Sequence, residues 1–107
     1  MNAGGGSVQS APFEEFEGEG HGVSVSIILV DMPPGEEVRL HRHPYAEIFI
    51  VQEGRATYTV GSSTIDVVAP RMLIAPATVQ HAFVNSGDQR LKQVDIHLSP
   101  KFITEWL

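Results

Sequence analysis

The sequence predicts an all-β domain, a small barrel or double-sheet jelly roll, and three observations carry that reading. Eight or nine short stretches rich in Val, Ile, Thr, Phe and Tyr recur at regular spacing along the 107 residues. Clusters of Gly, Pro, Asn and Asp separate them, as chain reversals require. No apolar period of helical length lies between them, so nothing supplies the crossover helices of an α/β fold.

In chain order, residues 1–22 read as an N-terminal tail or arm and 23–107 as one domain. Residues 13–20 are acidic, with Phe13 and Phe16 as the side chains able to anchor them. From 23 to 30, Val23, Val25, Ile27 and Leu29 alternate first with serines and then with Ile28 and Val30. That pattern predicts a strand that starts half-exposed and ends buried on both faces. A Met32-Pro33-Pro34-Gly35 turn leads to strands over 38–43 and 47–52, and Glu53-Gly54-Arg55 makes a tight hairpin into 56–60. Strands over 64–68, 71–74, 81–84 and 91–98 follow, with residues 85–88 a strong turn. Ser99-Pro100 has the form of an N-cap with Pro at the first helical position. The ending therefore predicts a short C-terminal helix with Phe102, Ile103, Trp106 and Leu107 on one face.

Composition narrows the function. A net charge of −6 with seven Lys and Arg argues against binding nucleic acid through its phosphates, and no helix-turn-helix segment accompanies the strands. The absence of cysteine removes disulfides, thiolate metal sites and cysteine nucleophiles. No leader pattern and no stretch of about 18 apolar residues is visible, so a cytoplasmic protein with no membrane partner is the expectation.

The informative stretch is GEEVRLHRHPYAEIFIVQEG, residues 35–54. His41 and His43 are one residue apart, which puts both on the same side of an extended strand. Glu47 opens the next strand after a Pro44-Tyr45-Ala46 corner. Two imidazoles and a carboxylate converging there suit a divalent first-row metal. Taken alone, the pair reads better as two surface histidines on a half-exposed strand.

The frame around the pair changes that. Gly35, five residues, His41-x-His43, three residues, Glu47, six residues and Gly54 reproduces in full the first signature motif of the cupin family. Pro76, His81 and Asn85 keep the spacing of the second motif, with Pro70 and Thr78 standing where that motif has glycines. The chain thus resembles a small single-domain cupin over residues 23–98. The resemblance implies a jelly-roll β-barrel, also described as a double-stranded β-helix, with His41, His43, Glu47 and His81 as metal ligands. The rival reading of these four positions is a metal-free binding pocket. Asn85 reads as a turn-shaping residue. Fe, Mn, Ni, Zn and Cu all tolerate three imidazoles and a carboxylate, and spacing does not choose among them.

Strand parity suggests the rest of the pocket. Arg39 shares a face with His41 and His43, and either holds an anionic or carbonyl group of a substrate or pairs with Glu36 or Glu37 at the rim. Phe49 and Val51 share a face with Glu47, and Phe83 with His81, so these would line the cavity. Tyr45, in the corner between ligands, is a proton donor or a lid. On the last strand Gln93, Asp95 and His97 alternate with apolar residues. His97 is an acid–base candidate if that face looks inward and a surface histidine otherwise. His21 lies outside the motif.

Residues 27–30 and 48–51 are apolar on both faces, so one face needs cover from the terminal helix or from a second subunit, which motivates a homodimer. The function expected from the resemblance is a metal-dependent enzyme, of the dioxygenase or the isomerase or cyclase type, acting on a small oxygenated organic molecule. A non-catalytic module that uses metal and pocket to bind a small ligand is the alternative, and a barrel with a vestigial site is the third.

Overall fold

The computed structural model describes residues 8, 10 and 12–107, and the remainder of the expected tail lies outside the described residues. The ten strands are β1 (Glu15–Glu17), β2 (Ser26–Met32), β3 (Glu37–Arg42), β4 (Glu47–Glu53), β5 (Arg55–Val60), β6 (Ser63–Val68), β7 (Arg71–Ala75), β8 (His81–Asn85), β9 (Leu91–His97) and β10 (Glu105–Trp106). They form two five-stranded antiparallel sheets, ordered β1-β2-β9-β4-β7 and β10-β3-β8-β5-β6. The pairs β2–β9, β3–β8, β4–β7 and β5–β6 are nested, as if one long hairpin had been rolled up, which is the jelly-roll order.

Period-two patterning decides what faces what. In the first sheet, Ser26, His97, Glu47 and Ala75 form one cross-strand row; Ile28, Asp95, Phe49 and Leu73 form the next, and Val30, Gln93 and Val51 the third. Side chains in such rows share a face, and these rows face the second sheet. Phe49 meets Tyr58 and Phe83 of the second sheet with ring centroids 5.2 and 6.1 Å apart. With Val51, Ala56, Val67 and Leu91 these rings make the apolar core. The alternate residues, Ile27, Leu29, Ile48 and Ile50, point away from it and are half-buried or exposed, so these strands are not buried on both faces as expected.

Three local features differ from the sequence reading. Residues 13–17 are more than a lead-in: β1 adds to the edge of β2, with Phe16 opposite Ile27 and packed on Phe13 and His21. The expected C-terminal helix is absent, and β10 pairs with β3 instead. The physical reason is competition for backbone groups. The N–H groups of Phe102, Ile103 and Leu107 donate to Glu17, Tyr45 and Leu40, while the Pro100 carbonyl accepts from Glu19. A segment of seven residues has too little helix-forming cooperativity to outbid them. The third feature is Thr78, which stands where the second motif has glycine and takes φ +69°, a left-handed conformation. Its N–H donates to the His43 carbonyl at 2.8 Å, which ties the loop before β8 to the ligand strand. Among the described residues no helix is long and apolar enough to cross a membrane.

Candidate metal centre

Four strand ends meet at one end of the molecule. β3 delivers His41 and, just past its end, His43; β4 starts at Glu47; β8 starts at His81; β9 ends at His97. Direct register links them, with His41 opposite His81 and Glu47 opposite His97. All five side chains are buried. One nitrogen from each of His41, His43 and His81 and one Glu47 oxygen lie within 4.8 Å of one another.

Hydrogen bonds set which nitrogen faces inward. Nδ1 of His41 lies 2.7 Å from the Arg39 carbonyl, Nδ1 of His43 2.8 Å from the Ile103 carbonyl, and Nδ1 of His81 3.2 Å from the Val79 carbonyl. A carbonyl only accepts, so each Nδ1 carries the proton and donates it. The three Nε2 lone pairs are then left for the centre, the usual way a protein fixes the tautomer of a metal-ligating histidine. Nε2 of His43 is buried, lies 2.9 Å from Glu47 Oε1 and makes no hydrogen bond with it. Nε2 of His81 lies 3.1 Å from the same oxygen. Acceptors brought this close fit a cation held among them, and a donor set of three imidazoles and one carboxylate suits a divalent transition metal.

Protons meet the same crowding when no cation does. Burial disfavours a charged His43, but the Glu47 carboxylate beside it and the Ile103 carbonyl outweigh burial and raise its pKa. Burial would likewise raise Glu47, yet the imidazoles of His43, His81 and His97 around it hold its carboxyl far below the usual range. His41 goes the other way, its pKa lowered mainly by burial and by its histidine neighbours, against the bond to Arg39.

Tyr45 and His97 join the cluster. The Ile103 N–H donates to the Tyr45 hydroxyl at 3.0 Å; Glu47 Oε2 beside Nε2 of His97 only accepts, which puts the imidazole proton on Nε2 and leaves Nδ1 to accept from the Tyr45 hydroxyl, 2.8 Å away. That Nε2 lies 3.2 Å from Glu47 Oε2. The Tyr45 ring stacks on His43 at 5.1 Å. The inner face of β9 does look inward, and His97 is a buried partner of the ligand carboxylate.

A cavity of about 140 Å³ opens beside the cluster, lined in part by Ile28, Val38, Phe83, Asp95, Thr104 and Trp106. Phe83 is in that wall as expected; Phe49 and Val51 instead lie in the apolar core. Arg39 is outside. The parity argument put it on the face of His41, but the register shifts between Val38 and His41, and a bulge there turns the intervening residues over. Arg39 is exposed, with its guanidinium 4.8 Å from the Trp106 ring centroid. Sequence reasoning missed the contribution of residues 103–106 because they were read as helix. Trp106 packs on His41 at 4.8 Å and the Ile103 carbonyl orients His43. The β-branched pair Ile103-Thr104 was the signal for an extended segment.

The comparisons agree with this geometry. The family profile described as "Cupin domain" matches residues 28–97. The polyketide synthase CurC of Streptomyces cyaneus is 40% identical over 73 residues, which are 67% of this chain and 47% of that protein. The H2HPP isomerase of Bacillus subtilis is 34% identical over 71 residues, 65% of this chain and 30% of that protein. The chain therefore spans about half or less of the length of these relatives. Among solved structures, the Bacillus subtilis oxalate decarboxylase, described with Mn(II) centres, superposes with a TM-score of 0.78 at 25% identity, over 87% of this chain and 27% of that one. With both motifs, the jelly-roll order and the profile match in agreement, this chain belongs to the cupin family.

Proposed function

We propose that the protein is a metal-dependent enzyme that moves protons on a small, enolisable, oxygenated organic molecule, in the manner of an isomerase or cyclase. The observation that carries the reading is the cluster of three inward Nε2 atoms and one carboxylate oxygen beside a small cavity, with the Tyr45–His97 pair on its flank. His41, His43, Glu47 and His81 would hold the ion, which when bound polarises a substrate carbonyl and stabilises the enolate. His97, fixed by Tyr45 and Glu47, keeps a proton on Nε2 at the cluster's edge. Trp106 and Phe83 form apolar parts of the cavity wall. The volume is below the 300–1,000 Å³ of drug-sized sites, so only a small substrate or the reactive end of a larger one fits. The names of the two relatives, a polyketide synthase and an isomerase, favour this chemistry over dioxygenase chemistry.

The test is enzymatic turnover of small β-keto compounds in deuterated water by metal-loaded protein. Deuterium uptake at the carbon beside the carbonyl, without dioxygen consumption, is expected. Dioxygen consumption would replace the reading with a dioxygenase, and ligand-dependent stabilisation with no turnover would leave a binding module.

The same reading includes a homodimer. The outward rows of the first sheet, centred on Ile48, Ile50, Val94 and Ile96, carry no charge, whereas Asp31 and Lys92 stand opposite each other at their margin. Leu29, Met72 and Ile74 on that face are exposed. Five strands of about six residues make a face roughly 20 Å on a side, the size of the largest apolar patches that soluble monomers expose, which are often functional. An apolar centre with a charged margin suits a second copy of the same face.

A further inference from the structure

Beside the ligand cluster the wall of the molecule is one extended strand thick, made by residues 103–106. Ile103 and Glu105, with Arg42, Pro44 and Thr78, line a groove of about 530 Å³. Trp106, on the alternate face of the strand, lines the cavity of about 140 Å³ that holds the cluster. His43 and Thr104 line both spaces, so groove and cavity share a wall.

That wall is held unevenly. Its root is pinned: the Ser26 hydroxyl donates to the Ser99 carbonyl at 2.8 Å, the Glu19 N–H to the Pro100 carbonyl at 2.9 Å, and Phe102 packs on His97 at 4.9 Å. Beyond Phe102, every residue through Leu107 is exposed. This part is held by a two-residue ladder with β3, the bonds of Ile103 to Tyr45 and His43, the Leu107 N–H on the Leu40 carbonyl and the Trp106 ring on His41. The ion pair between Arg42 and Glu105 is exposed on both sides and adds little. Segments with so little buried surface open locally, at less cost than global unfolding.

We propose that residues 103–107 are a gate hinged at residues 99–102, and that cavity and groove are two halves of one substrate site that join when it swings out. This rests on the reading of the cavity as the place where the reactive end binds. The cavity is below the 300–1,000 Å³ of sites for drug-sized ligands, whereas the groove falls inside that range. Pro44 and Ile103 give the groove apolar walls, and its two charges, on Arg42 and Glu105, neutralise each other at 2.7 Å. Such a surface suits an uncharged, apolar body better than an anionic one. The substrate class is therefore an enolisable carbonyl compound that carries an uncharged ring, its carbonyl end at the cluster and its ring in the groove.

A reversible lock tests this. Arg42 and Glu105 stand opposite each other in the ladder, and opposite residues of an antiparallel pair lie within disulfide reach. The sequence has no cysteine of its own, so the double variant Arg42→Cys, Glu105→Cys can be closed by oxidation and reopened by reduction. The probes, titrated calorimetrically into the zinc-loaded full chain, are methyl benzoylacetate and methyl acetoacetate, which differ by a phenyl ring. Oxidation should lower the affinity for methyl benzoylacetate by at least about tenfold, because only the open fraction accepts the ring. Reduction should restore it, and methyl acetoacetate should bind alike in both states. In wild type without metal or ligand, hydrogen exchange should release the Ile103 and Leu107 amides before those at the centres of β4 and β9. Equal affinity for methyl benzoylacetate in the locked and reduced forms, or amides at 103 and 107 that exchange only with global unfolding, would overturn the gate. Binding of neither ester to a protein whose gate opens locally would overturn the substrate-site reading, and the gate's role with it, on a separate count.

Discussion

Glu47 is where two kinds of stabilisation compete for one carboxylate. Its Oε1 faces two imidazole nitrogens and its Oε2 a third, and a cation and protons are alternative ways to satisfy them. Glu47→Gln keeps the shape but removes the charge, so metal affinity should fall by more than about a hundredfold, beyond the roughly 10–100-fold that loss of a merely supporting group costs. Isothermal titration with Mn(II) or Zn(II) reads this, with circular dichroism to confirm the fold; equal affinity would take Glu47 out of the ligand set. The imidazoles must shed their second protons to bind, so affinity should fall as pH drops below about 6.5, and fall earliest through His43, whose pKa is raised. Asp95 gives the opposite sign in stability. Its folded pKa is raised above the unfolded value of about 3.9, so the folded state binds the extra proton and loses stability as pH rises from about 4 toward neutrality. Asp95→Asn should therefore be more stable than wild type at pH 7, with the gain shrinking toward pH 4 in urea titrations. A gain independent of pH would show that Asp95 folds ionised.

At the scale of elements, the ligand strands were legible because spacing alone dictates their faces. Period two and one corner put His41, His43 and Glu47 on one side, but it took the spacing of the first motif to mark them as candidate ligands and of the second to add His81. What spacing could not show was the bulge between Val38 and His41, which throws Arg39 to the surface, since a bulge leaves no residue signature here. Nor could it show residues 99–107, where a helix-start pattern lost to backbone bonds from distant strands. The inner placement of Asp95 was visible in the alternation of β9, but its position between Ile28 and Phe49 depends on the registers of β2 and β4. The missing glycine at 78 has a measurable cost. A β-branched residue in left-handed backbone loses on the order of 1–2 kcal/mol, partly offset by the lower chain entropy of a non-glycine. Thr78→Gly should stabilise the protein by up to about 1 kcal/mol, a rise of a few degrees in Tm by calorimetry. Unchanged or lower stability would mean the Thr78 side chain contributes more than its backbone costs. Gly54 is the converse. A Cβ there would meet the Arg90 carbonyl at 2.6 Å, on top of φ +91°, so Gly54→Ala should destabilise.

Across the whole molecule, the two faces of one sheet divide the work. The inner face holds the carboxylates and His97, and the outer face is apolar at its centre. Sedimentation at micromolar concentration should give a dimer, and Ile50→Glu should shift it to monomer while leaving metal uptake intact; a wild-type monomer would remove the second copy from the account. The sheets also explain why ligands distant in sequence meet. β3, β4, β8 and β9 all place one end at the same pole, so residues 41, 47, 81 and 97 converge without any long loop. The central claim is that this convergence exists to hold a cation. Its most direct measurement is the metal content of anaerobically prepared protein, with X-ray absorption to identify the ligand atoms. The account predicts one divalent transition metal per chain bound through histidine nitrogens, lost on acidification and depleted in Glu47→Gln. Protein that is metal-free as prepared and unaltered by added Mn, Fe, Ni, Zn or Cu would contradict it.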